Sequence, residues 1–126
     1  MPTSTKSVRG LGSAGVGTKH HIHQRVTALA LLVLVPWFLF SVINASKAGY
    51  EGALSWAAQP VNAILLILTL SAALYHMRLG MQVVIEDYIS KSGSRQALLI
   101  LNTFAVIALA AAAILSVLKI WFTAGA

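Results

Sequence analysis

Cysteine is absent from all 126 residues. Disulfides, thiolate metal sites and thiol nucleophiles are therefore excluded. Acid is almost absent: three Asp and Glu stand against nine Lys and Arg, giving a formal net charge of +6. Charged residues make up only 10% of the chain, against about a quarter in an ordinary soluble domain. That is too little charge to coat a globule in water, and 58% of the residues are hydrophobic. The positive charge sits in tails and loops, with no basic recognition helix and no basic patch interleaved with aromatics. It reads as membrane orientation, not nucleic-acid binding.

What is present are apolar runs near the ~20 residues needed to cross the hydrocarbon of a bilayer. The expected fold class is all-α: a transmembrane bundle of three helices over about 26–45, 58–90 and 97–122, part of a larger hetero-oligomeric membrane anchor. Residues 1–24 form a basic, Gly/Ser/Thr-rich stretch expected to be a flexible tail, and 25–126 the anchor domain. His20, His21 and His23 read as a polar collar where the first helix starts, since no carboxylate or cysteine lies nearby to complete a metal site. Arg25 heads the first apolar run, where a guanidinium can meet a lipid phosphate or a cofactor carboxylate. Pro36 falls mid-span. Residues 46–58 read as a short loop with Tyr50 and Trp56 at the headgroup level. Pro60 suits the first turn of the second helix. Lys6, Arg9, Lys19 and Arg25, with Lys91 and Arg95, place the N-terminus and the second loop on the positive side of the membrane.

Residues 74–88, Leu-Tyr-His-Met-Arg-Leu-Gly-Met-Gln-Val-Val-Ile-Glu-Asp-Tyr, break the apolar pattern. They hold His76, the one histidine outside the tail, together with Arg78, Glu86 and Asp87. Ionisable side chains at membrane depth are costly and mark functional sites. On a helix, His76, Gly80, Val83 and Asp87 share one stripe, with His76 and Asp87 about 16 Å apart along the axis. A histidine in lipid serves as a satisfied core residue, a proton relay or a metal ligand. Gly80, one turn along the same face, weakens the helix by about 1 kcal/mol relative to Ala and clears space for something flat. Haem iron takes an axial histidine, so this pairing points to haem. With one histidine at depth, a bis-histidine haem would need its second ligand from another chain. The Tyr88 hydroxyl suits a quinone carbonyl, although an aromatic-belt anchor is the plainer reading.

His76-x-x-x-Gly80 followed by Gln82-Val83-Val84-Ile85-Glu86-Asp87-Tyr88 resembles the second-helix signature of the small hydrophobic anchor subunit of succinate dehydrogenase, complex II. Arg25 is similar to a basic residue that the family keeps near the haem propionates. The resemblance implies an anchor that shares haem b with a second, cytochrome b anchor subunit and helps to form a ubiquinone site beside an iron–sulfur subunit, with a flavoprotein completing the complex. It implies His76 as axial haem ligand, Gly80 and Arg25 as haem contacts, Tyr88 as hydrogen-bond donor to the quinone, and Asp87 as its support or proton feed. The membrane would be the inner membrane of a bacterium or mitochondrion, with the N-terminus on the cytoplasmic or matrix side. Arg78 stands where the family often carries an aromatic or histidine.

Two alternatives stay in view. The larger anchor of the same complex also carries His-x-x-x-Gly, but it usually shows an Arg-His run before an aspartate, where this chain reads Met81-Gln82-Val83, and its Ser-x-x-His-Arg start is only partly matched by Ile22-His23-Gln24-Arg25. A proton-coupled transporter would use His76, Arg78, Glu86 and Asp87 as a relay, but neither internal repeats nor broken helices are visible. Nothing in the chain carries a flavin, iron–sulfur or dicarboxylate motif, so no succinate chemistry is expected of it alone.

Overall fold

The computed structural model describes residues 14–124, which fold into four helices: α1 Ala14–Ser46, α2 Gly49–Ala58, α3 Pro60–Tyr88 and α4 Ser92–Ala124. No strand occurs among the described residues, as an all-α membrane protein requires. Three helices have the length and apolarity to cross a membrane: Thr18–Ser46, Pro60–Tyr88 and Ser92–Ala124. A helix of 29 residues is about 43 Å long, against about 30 Å of hydrocarbon, so its ends project beyond the acyl chains.

The helices run past their apolar segments. α1 starts at Ala14, well before the apolar run that opens at Val26, so His20 to Arg25 lie within the helix and not ahead of it. Apolarity marks where the chain enters hydrocarbon, whereas a helix ends where backbone hydrogen bonding fails, and polar side chains at 20–25 do not interrupt it. Of the expected flexible tail, residues 1–13 lie outside the described residues. Pro36 sits inside α1 without ending it. α4 likewise starts at Ser92, where Arg95 N–H donates to the Lys91 carbonyl at 2.8 Å.

The expected loop at 46–58 is corrected by α2. Its glycines are not helix breakers here. Gly49 takes φ +75° at the reversal between α1 and α2, a backbone region that favours glycine. Gly52 lies where a Cβ would collide with the Ala48 methyl and approach the Ala45 carbonyl oxygen to 3.2 Å. Between them these residues let the chain double back tightly, and Ala53, Leu54, Ala57 and Ala58 favour the helix that follows. Trp56 packs against Trp37 with ring centroids 5.9 Å apart. Gln59 in extended conformation then separates α2 from α3, with Pro60 in the first turn.

α3 is the central element. α1 and α4 each pack along it but, among the described residues, not against each other. α2 touches all three at one end. The three spans therefore form an open layer capped at one end. The buried cluster lies at the capped end: Ala57, Ala63, Leu66 and Val117, with Trp37, Phe38, Ile120 and Trp121 packed around it. Its alanines let the helices approach closely. The outer faces are bare; the most apolar window of the first span contains no buried residue. Such faces suit lipid or the helices of another subunit.

Candidate functional site

The second half of α3 carries the polar residues. His76 is half-buried, facing α1. Its Nδ1 lies 2.9 Å from Thr27 Oγ1. Thr27 Oγ1 in turn lies 2.8 Å from the His23 carbonyl and 3.0 Å from the Gln24 carbonyl, to which its hydroxyl donates. One residue before His76, the Tyr75 hydroxyl meets His23 Nδ1 at 2.8 Å. His23 and Thr27 are one turn apart on α1, so two polar contacts pin its register against α3.

Gly80 follows one turn after His76, and a Cβ built on it would meet nothing within 4 Å. No side chain among the described residues fills the space in front of Gly80. With Nδ1 engaged by Thr27, Nε2 is the nitrogen left for a ligand. A half-buried imidazole next to a glycine with nothing packed over it has the chemistry that a haem needs. Among the described residues no group of three His, Cys, Asp or Glu side chains gathers.

At the end of α3, Asp87 and Tyr88 are exposed, Tyr88 to 81%. Tyr88 lines an open, mostly apolar cavity of about 310 Å³ between α3 and α4, with Met81, Val84, Leu98, Leu101 and Asn102. That volume lies at the lower end of the range for small-molecule sites. Asp87 is not among its lining residues. His76 and Tyr88 are separated by about 18 Å along the helix, so they form two levels and not one site. Arg25 is exposed on α1. It lies about 200° around that helix from Thr27 and is not brought against His76 from within the chain.

Three residues join the site without a sequence signal strong enough to find them. Thr27 and Tyr75 become visible only when α1 is laid antiparallel along α3. Asn102 is, in the sequence, only an amide in an apolar span. Its Nδ2 donates to the Arg78 carbonyl at 3.1 Å, linking α3 to α4. Glu86 accepts from Gln82 Nε2 at 3.0 Å on the exposed side of α3.

Residues 1–122 match the family model described as succinate dehydrogenase/fumarate reductase transmembrane subunit. Among curated relatives, a succinate dehydrogenase hydrophobic membrane anchor subunit of Paracoccus denitrificans is 35% identical over 112 residues, covering 89% of this chain and 86% of the relative. One of the same name from Rickettsia bellii is 40% identical over 93 residues, covering 73% and 74%. Another from Rickettsia conorii is 36% identical over 91 residues, covering 71% and 72%. No solved structure gives a significant match.

Proposed function

The chain belongs to the succinate dehydrogenase/fumarate reductase transmembrane subunit family, and on that premise we propose that it anchors a succinate:ubiquinone oxidoreductase, ligating haem b through His76 and forming part of the ubiquinone-reducing site with Tyr88 and Asp87. Relatives named as hydrophobic membrane anchors favour this over the larger cytochrome b anchor and over a transporter. The observation that carries the haem reading is His76 fastened at Nδ1 beside the empty face of Gly80.

The chain's own work is positional. His76 Nε2 would hold the haem iron, together with a residue of the partner anchor. Gly80 keeps a side chain out of the space the macrocycle needs. Arg25, exposed on α1 and turned away from the Thr27–His76 contact, would meet propionate carboxylates only where they extend around that helix. A bound haem supplies a one-electron carrier within the bilayer. Reducing a quinone takes two electrons, delivered from succinate through the flavoprotein and iron–sulfur subunits, and two protons. The Tyr88 hydroxyl donates to a quinone carbonyl at the mouth of the groove, and Asp87, exposed beside it, relays protons from the aqueous boundary. The basic loops put this end, with the N-terminus, on the cytoplasmic or matrix side of the inner membrane.

The test is a reduced-minus-oxidised visible spectrum of the complex purified from membranes. The wild type is expected to show b-type haem bands and His76→Ala to lose them; a wild-type complex without such bands would refute the cofactor assignment. For the quinone level, Tyr88→Phe is expected to slow quinone reduction while succinate oxidation by an artificial dye continues. Equal loss with both acceptors would point to failed assembly.

A further inference from the structure

We propose that Thr27 is the positioning residue for His76: its hydroxyl oxygen holds the imidazole in the Nδ1–H form and so keeps the Nε2 lone pair available to iron. The inference rests on the proposed haem ligation and deepens it.

Thr27 Oγ1 has three polar neighbours: the His23 carbonyl at 2.8 Å, the Gln24 carbonyl at 3.0 Å and His76 Nδ1 at 2.9 Å. A hydroxyl carries one hydrogen and two lone pairs, and a carbonyl can only accept. Threonine in a helix characteristically gives its hydrogen to a carbonyl three or four residues back. Once it does so, Oγ1 offers His76 only lone pairs. The 2.9 Å contact is then a hydrogen bond only if Nδ1 carries the proton. A neutral imidazole protonated there has its free lone pair on Nε2. The opposite tautomer would put hydrogen on Nε2 and block it as a ligand.

Metal-ligating histidines almost always donate their second N–H to an oxygen that fixes ring orientation and tautomer. No carboxylate is in contact with His76 from α1; the described partner is this hydroxyl. The arrangement is also held against slippage. Tyr75 and His23 make their own contact at 2.8 Å one turn along α1, so Thr27 cannot shift along α3 without breaking both. A hydroxyl at residue 27 thus does something that an equally bulky apolar side chain cannot.

The experiment compares Thr27→Val, which keeps the shape and loses the hydroxyl, with Thr27→Ser, which keeps the hydroxyl and loses the methyl. Each is made in the four-subunit complex, with co-purification of the subunits as the assembly check. The readouts are haem per complex and the electron paramagnetic resonance signal of the ferric haem. Thr27→Ser is expected to match wild type on both. Thr27→Val is expected to hold haem about 10–100-fold more weakly and to shift the ferric signal as the ring loses its fixed orientation. Wild-type haem content and signal in Thr27→Val would overturn the proposal. So would failure of Thr27→Val and Thr27→Ala to assemble while Thr27→Ser assembles, because the contact would then serve folding and not the ligand. Failure of the underlying reading looks different: no b-type haem in the wild type, or haem unaffected by His76→Ala.

Discussion

The two halves of α3 are built on opposite plans. From Pro60 to Leu70 one face of the helix is covered by its own chain: Ala63 and Leu66 are buried, α2 folds over the end, and Trp37, Trp56 and Trp121 close around them, while Val61, Ile64 and Leu68 on the other face stay exposed. From His76 to Tyr88 the helix buries Leu79 and Ile85 and adds discrete polar contacts to α1 and α4, while Met77, Met81, Val84 and Tyr88 stay exposed. One half is held by a packed cluster on a single face. The other presents an imidazole, a bare glycine and a half-open groove, and a polar face left like this in lipid is expensive. The packed cluster lies in the first half, and the ionisable and hydrogen-bonding side chains lie in the second. Half a site on one subunit is what the proposed haem, shared with a partner anchor, would require.

The strongest way to break this contrast is to damage the packed half and look at the other. Leu66→Ala removes a side chain enclosed by Ala57, Ala63 and Val117. Lipid, not water, surrounds the unfolded helices, so the loss is mainly of contacts and not of transfer from water. The expected cost is ~2 kcal/mol, below the soluble-protein range for such truncations. Thermal dissociation of the purified complex should move down while the haem spectrum of the assembled fraction stays at wild type. A spectrum altered in step would mean that the halves are coupled. Gly52→Ala acts on the cap itself, where the new methyl meets that of Ala48. Overpacking typically costs ~1–3 kcal/mol, but the gain in helix propensity returns about 1, leaving a net destabilisation of ~1 kcal/mol in the same assay.

The same division explains what the sequence reveals. The three spans are legible because crossing hydrocarbon demands a long apolar run, and the motif at 76–88 stands out because ionisable residues are so rare in such a chain. The cap is not legible. Gly49, Gly52 and Trp56 suggest a turn with an aromatic anchor, and only the reversal at Gly49 reveals that the following residues have a helix and a tryptophan pair to complete. Thr27 is hidden for a different reason. A lone hydroxyl in an apolar span satisfies its own backbone, and nothing local distinguishes it from any other such threonine until α1 and α3 are registered. Local chemistry shows which residue has to bind, but partners 49 residues away in sequence depend on how the helices are laid together.

Asn102 sharpens the contrast with the smallest expected effect. Its amide donates to the Arg78 carbonyl at 3.1 Å and is the described side-chain hydrogen bond between α3 and α4. Asn102→Leu keeps the length and removes the donor. The Arg78 carbonyl still belongs to a continuous helix, so it loses a second partner and not its only one. Interhelical hydrogen bonds in membranes average ~0.6 kcal/mol, because helices apart in lipid also find partners. The complex should therefore dissociate at nearly the wild-type temperature, with a smaller shift than Leu66→Ala or Gly52→Ala. A loss beyond about 1.7 kcal/mol, the top of the range for such bonds, would show that hydrogen bonding holds the polar half at least as firmly as packing holds the other. The half with the open groove would then be rigid without its partner subunit, and His76 and Tyr88 would be set in place before haem and quinone arrive.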